Sequence, residues 1–392
     1  GSPTTTMKDG LDDSAVSPDA DGAFDIDLSL DTTYASIVDS GDDESRLLQS
    51  DEDAETRYEV EDEIGAGGMG TVFKVWDKDL KRSVAFKTLR DQRGASRFIR
   101  ESRITGQLNH PYIIPLHDIG LDDTGNLYIS MPFVDGYTLT ELITKLQEKD
   151  RDFYQKYTLE RRLELFLKVL AAVQLAHEKG VIHRDLKPSN IMIGKYDEVF
   201  VLDWGLATYF GKTEQDEIED GDSTREGTVL GTPRYMSPEQ ASGVVHGLNA
   251  TTDIYSLCAI LYELLTLDHY LGLDHESNRF TYMHAVATKN PAFPGSIPKD
   301  GHPRISRWLG MTIMKGLHKN PEERFQTVSE LAQEIRGYIS RDRKPICYTT
   351  TIQWLCLRLV EKIDERPYLA AVIALVLSIF ALIGVVLLVD LW

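Results

Sequence analysis

The sequence predicts an α+β fold of two lobes, strand-rich first and helix-rich second, with a disordered acidic tail before them and one transmembrane helix after them. Three observations lead there. Short β-branched and aromatic runs separated by turn residues fill about 58–134. Apolar residues at spacings of three and four dominate 135–338. The charge is lopsided: of a net −20, residues 1–57 hold −13 from sixteen acidic and three basic side chains, and the remainder holds −7.

Taken in order, residues 1–57 are rich in Asp, Ser, Thr and Gly and bury too little apolar surface to offset ordering entropy. Within them Phe24, Ile26, Leu28 and Leu30 alternate with Asp and Ser, a pattern that suits either a docking strand or a solvated tail. Strands are predicted over 58–64, 71–76, 83–89, 114–120 and 127–133, interrupted by a helix over 96–108. After Leu139, helices are predicted over 159–178, 252–265, 305–316 and 328–339. The 392 residues suffice for two lobes with cores of their own, and no internal repeat is present. No basic face stands out, which argues against nucleic acid as a partner. Cys258, Cys347 and Cys356 form no CxxC pair, which argues against a disulfide framework or zinc site and fits a reducing compartment. No apolar stretch near the start predicts a secretory leader.

Gly65, Gly67 and Gly70 lie in the run Ile64-Gly65-Ala66-Gly67-Gly68-Met69-Gly70-Thr71-Val72 and fit G-x-G-x-x-G-x-V. Glycines let a backbone approach phosphates, but they also mark ordinary turns. A dinucleotide fingerprint needs a helix after the glycines. Here β-branched and aromatic residues follow, and no Gly-Lys-Ser/Thr closes a Walker loop. A glycine-rich hairpin over a nucleotide remains.

Further motifs follow in order: Val84-Ala85-Phe86-Lys87, then His183-Arg184-Asp185-Leu186-Lys187-Pro188-Ser189-Asn190, Asp203-Trp204-Gly205, Gly231-Thr232-Pro233-Arg234-Tyr235 and Ser237-Pro238-Glu239. Together they resemble the protein kinase signature set, in wording close to the bacterial eukaryotic-like (Hanks-type) transmembrane Ser/Thr kinases. The resemblance covers 58–338, with the N-lobe over 58–134 and the C-lobe over 135–338. It implies a bilobal protein kinase fold, ATP as phosphoryl donor and Mg²⁺, or Mn²⁺, as cofactor. Phosphoryl transfer needs positioning and positive charge more than covalent help. Lys87 is expected to hold the α/β-phosphates, with Glu101 as its partner. Asn190 and Asp203 are oxygen donors suited to a hard cation. Asp185 is expected to accept or orient the substrate hydroxyl proton, and Lys187 to contact the γ-phosphate, as in Ser/Thr-specific members. By resemblance, Ile64, Val72, Ala85 and Met192 sandwich the adenine. Met131 is the gatekeeper, and backbone groups of Pro132 and Val134 face the purine edge. Gly65, Ala66, Gly67, Gly68, Met69 and Gly70 cover the phosphates. Glu239 is expected to pair with Arg324, Asp253 to brace the catalytic loop, and Thr232 to sit near Asp185 and Lys187. Trp204 stands where Phe is usual and Pro132 where Glu is frequent.

The stretch from Asp203 to Glu239 carries an acidic insert and then Thr224 and Thr228, either of which suits autophosphorylation, with Arg184 as the clamp on the added charge. Residues 367–389 are uncharged, long enough at about 1.5 Å per residue for a bilayer core about 30 Å thick. Arg341, Arg343, Lys344, Arg358, Lys362 and Arg366 precede them, which predicts a single-pass protein of the inner membrane with the lobes on the cytoplasmic side. The juxtamembrane stretch 339–366 suits the bilayer interface or the helical lobe equally. The expected function is transfer of the ATP γ-phosphate to protein Ser/Thr hydroxyls in membrane-linked signalling. Its partners would be protein substrates, the bilayer and a second copy for trans-autophosphorylation. A catalytically weak, nucleotide-binding membrane scaffold is the alternative.

Overall fold

The computed structural model describes residues 57–340 apart from 68–69, 79, 92–93, 123–124, 210–231, 245–247, 274–276 and 295–304. The acidic tail up to residue 56, Thr224 and Thr228, and the span 367–389 lie outside the described residues. Among the described residues no helix is long and apolar enough to cross a membrane.

Five antiparallel strands make the N-terminal sheet: β1 (Tyr58–Ala66), β2 (Gly70–Asp77), β3 (Arg82–Leu89), β4 (Asp118–Leu121) and β5 (Leu127–Pro132), in the order β1-β2-β3-β5-β4. Helix α1 (Ala95–Gln107) buries Phe98, Glu101 and Ile104 on one face. A carboxylate on a buried face needs a partner, which makes Glu101 conspicuous. The strand expected over 114–120 is only partly formed. Ile113 bridges Val201 in the helical lobe, and Ile114 donates its N–H to the Val201 carbonyl. Both isoleucines are buried. Their apolar side chains stitch the lobes together, so the ladder to β5 begins only at Asp118.

The second lobe is built on helices. α2 (Leu139–Gln147) starts at a capping box: Thr138 accepts from the Glu141 N–H, and Glu141 accepts from the Thr138 N–H. α3 (Arg151–Lys156) leads into α4 (Leu159–Glu178), whose limits coincide with the apolar periodicity. Strand pairs follow, with β7 (Val181–Ile182) against β10 (Thr208–Tyr209), and β6 (Gly136–Thr138), β8 (Ile191–Gly194) and β9 (Val199–Val201) in one sheet. α5 (Pro238–Ala241), α6 (Ala250–Thr266), α7 (Arg279–Thr288), α8 (Arg307–Gly316) and α9 (Val328–Ile339) complete the lobe. Every residue of α6 from Thr251 to Thr266 is buried, so it is the core around which the others pack. Its charged residues Asp253 and Glu263 are therefore costly unless paired, and both are paired. The periodicity expected over 252–265 and 305–316 is refined by caps: Asn249 starts α6, and Ser306 starts α8.

Candidate active site

A cleft of about 710 Å³ lies between the sheet and the helical lobe. Its roof is the hairpin of β1 and β2. A Cβ at Gly70 would sit 2.0 Å from the Thr88 carbonyl oxygen, so only glycine allows β2 to lie this close to β3. Gly67 has open space where a Cβ would be, on a turn closed by its N–H to the Gly70 carbonyl at 2.8 Å. Gly68 and Met69 lie outside the described residues. Ile64, Gly65, Ala66, Val72 and Ala85 line the cleft from the sheet, and Met192 lines it from below. Met131, Pro132 and Val134 line its back, where the chain leaves β5. Pro132 is the last residue of β5, opposite Val84, so its missing N–H falls at the end of the ladder.

Antiparallel pairing sets Lys87 opposite Val72 on one side and Ile129 on the other. Its Nζ donates to Glu101 Oε1 at 2.6 Å and to Asp203 Oδ1 at 3.4 Å. The Lys87 and Glu101 side chains are 15% and 5% exposed. Burial alone would lower the lysine pKa; Glu101, then Asp203, outweigh it and hold the ammonium above its ordinary range. Asp203 is 42% exposed at its side chain, opening into the cleft although protein surrounds it. Burial raises its carboxyl, but Lys87, then His183 and Lys187, bring it below the ordinary value of 3.8. A group so depressed contributes its ionised-state stability above its unfolded pKa and loses it only as pH falls through the folded value. The Asp203 carboxyl is therefore expected to stay ionised from about pH 8 to about pH 5. Carbon-13 NMR of the Asp203 carboxyl across that range tests this, and a titration step centred near pH 6 would contradict it.

The loop after β7 carries the second half of the site. Lys187 Nζ donates to Asp185 Oδ2 at 2.6 Å and to Thr232 Oγ1 at 3.1 Å, while the Thr232 N–H donates to Asp185 Oδ1 at 2.8 Å. Asn190 donates its side-chain amide to the Asp185 carbonyl at 3.1 Å, which leaves its Oδ1 as the group it can offer a cation. One carboxylate and one amide oxygen are hard donors that fit Mg²⁺ sharing its shell with phosphate oxygens and water. Arg184 (φ 65) and Asp203 (φ 58) both adopt the left-handed region, which costs non-glycine residues free energy and persists only where surrounding bonds dictate it. Those bonds are visible. Asp253 Oδ1 accepts from the Arg184 N–H at 2.9 Å, and Asp253 Oδ2 from the His183 N–H at 2.8 Å. Arg184 Nε donates to the Leu206 carbonyl at 2.6 Å, tying this loop to the chain beyond Gly205. Arg324 forks onto both oxygens of Glu239, each at 2.8 Å.

Trp204 is 1% exposed and packs on the His183 ring, with centroids 4.6 Å apart. Its indole N–H finds no hydrogen-bond partner among the described residues. Several residues that shape the cleft carry no local sequence signal. Thr105 from α1, Ile114, Leu116 and Leu202 extend it behind Met131. They look like ordinary core residues until the lobes are brought together.

A family model of the protein kinase domain matches residues 58–335. The chain belongs to the protein kinase family, in its bacterial Hanks-type Ser/Thr branch. It is similar to the serine/threonine-protein kinase PknD of Protochlamydia amoebophila, 36% identical over 308 residues, covering 74% of this chain and 30% of that protein. PknD of Chlamydia pneumoniae is 32% identical over 308 residues, covering 74% and 32%, and PknD of Chlamydia caviae is 33% identical over 301 residues, covering 72% and 31%. The chain spans about a third of the length of these curated relatives.

Proposed function

We propose that this chain transfers the γ-phosphate of ATP to Ser or Thr hydroxyls of proteins. The observation that carries the reading is the meeting, in one cleft, of Lys87 bonded to Glu101 and Asp203 with Asp185 bonded to Lys187 and Thr232. Lys87 holds the α/β-phosphates with a charge already fixed in place. Asp185 accepts the hydroxyl proton as the hydroxyl oxygen bonds to the γ-phosphorus and the bond to the bridging oxygen of the departing ADP breaks. Lys187 neutralises charge on the transferring group from beside Asp185. When bound at Asn190 and Asp203, Mg²⁺, or Mn²⁺, supplies Lewis-acid neutralisation of phosphate charge. The test is incubation with γ-labelled ATP, Mg²⁺ and a generic protein acceptor. Label on Ser or Thr of the acceptor or the chain supports the reading, and no label on either ends it.

The regulation and location we propose rest on sequence. Thr224 or Thr228 becomes autophosphorylated, in trans within a homodimer, and Arg184 orders the modified segment. Ala at both positions is expected to lower activity and abolish label there; full activity would remove the idea. The uncharged run 367–389 anchors the protein in the cytoplasmic membrane, with the preceding basic residues keeping the lobes on the cytoplasmic side. Extraction at alkaline pH is expected to leave the protein in the membrane pellet; release into the supernatant would refute the anchor.

A further inference from the structure

A cluster of buried charge that the proposed chemistry does not use lies where α6 and α7 meet residues 232–236. Arg234 Nη2 donates to Glu263 Oε1 at 2.7 Å, and its Nη1 to the Tyr282 hydroxyl at 3.1 Å. The Tyr235 hydroxyl donates to the other Glu263 oxygen at 2.7 Å. The Arg234 and Glu263 side chains are 12% and 5% exposed. The main chain is held as well: the His269 ring Nε2 lies 2.8 Å from the Arg234 carbonyl oxygen, and Ser256 Oγ donates to the Tyr235 carbonyl at 2.8 Å. Residues 234 and 235 are thus fixed at side chain and backbone from α6, from the turn after it and from α7. Two residues earlier in the chain is Thr232, whose N–H and hydroxyl contact Asp185 and Lys187.

A buried ion pair by itself is weak grounds for stability, because apolar residues of similar volume often pack as well. What the guanidinium adds is geometry. Its planar fork reaches a carboxylate on α6 and a hydroxyl on α7 at once, which a lysine ammonium on a flexible stem does not reproduce. We propose that Arg234 is a positioning residue of the phosphoryl transfer: by clamping the chain to α6 and α7 it sets Thr232, and through Thr232 the orientation of the Asp185 carboxylate. The inference rests on the transfer activity proposed above. It also makes α7 part of the catalytic machinery at one remove, through the Tyr282 hydroxyl.

The test compares Arg234→Lys, which keeps the charge and loses the fork, with Tyr282→Phe, which removes only one hydrogen bond to that fork. Since a misplacement of about 1 Å costs on the order of 10²-fold, Arg234→Lys is expected to lower kcat by about ten- to a hundredfold. Tyr282→Phe should lower it severalfold. The KM for ATP should move by less than about twofold in both, since no nucleotide contact changes. A purely structural role would lower the melting temperature and leave kcat per folded molecule at the wild-type value, and that result overturns the proposal. If Arg234→Lys fails to fold, Tyr282→Phe decides by the same kcat criterion. Wild-type protein without transfer overturns the activity and this inference together. A wild type that transfers while both variants keep its kcat overturns this inference alone.

Discussion

Asp185→Asn is expected to lower kcat by about 10²–10⁴-fold, the range a positioned proton acceptor contributes, while nucleotide binding stays intact. Two effects act in the same direction. The amide loses the basicity needed to take a hydroxyl proton. It also cannot satisfy its neighbours, because both Asp185 oxygens accept here, Oδ1 from the Thr232 N–H and Oδ2 from Lys187. Whichever way the Asn amide turns, its NH₂ meets a donor, and one buried contact is lost at about 1–3 kcal/mol. The nucleotide-facing half of the cleft, with Lys87, Glu101 and Ala85, does not touch this side chain in any bond described above. Fluorescent-nucleotide titration and single-turnover kinetics separate the two halves. Retained transfer at more than about a tenth of the wild-type rate would remove Asp185 from the role of base.

Arg324→Ala is expected to cost about 3–5 kcal/mol, the penalty for leaving one member of a buried pair uncompensated. The guanidinium has no exposed side-chain surface and uses its whole donor set. Besides the fork on Glu239, it donates to the carbonyls of His318, Thr251 and Lys319 and lies 4.9 Å from the centroid of the Tyr255 ring. Burial would raise the Glu239 carboxyl, but the Arg324 hydrogen bonds and charge bring it below its ordinary range. Truncating the arginine removes that support and orphans the carbonyls. Against a typical folding stability of about 5–15 kcal/mol, the loss threatens the whole helical lobe. Urea denaturation of the variant measures it. The double change Arg324→Met with Glu239→Leu is expected to recover part of the loss, since it removes the stranded charge but not the stranded carbonyls. A loss below about 1 kcal/mol for Arg324→Ala would class the pair with exposed ion pairs.

Strands β2 and β3, helix α4 and helix α9 were legible because each carries its own period and its own turn or cap. The strand expected over 114–120 was legible only from Asp118 on, because Ile113 and Ile114 have strand composition but spend it on Val201 across the lobes. Helix α7 was missed; its buried face amounts to Tyr282, Ala285 and Val286, too sparse for a clear apolar period. In the cleft, Lys87, Asp185, Asn190 and Asp203 stood out as polar residues in ordered motifs. Leu116 and Leu202 did not, since lining a cleft from an apolar position leaves no mark on composition, and Thr105 did not, since its hydroxyl is spent on the Glu101 carbonyl within its own helix.

Sequence alone determined which groups carry charge, in what order along the chain, and that a glycine hairpin joins two strands ahead of them. It could do so because charge belongs to single side chains and because strand and turn signals are local. Tertiary structure decided which of those groups meet and how tightly they are held. The bonds from Asp253 that hold the left-handed turn at Arg184, the packing of Trp204 on His183, and the clamp of Arg234 on Glu263 and Tyr282 all join residues far apart in the chain. Their energies depend on burial and on distances of tenths of an ångström, and those exist only once the two lobes and helix α6 have packed.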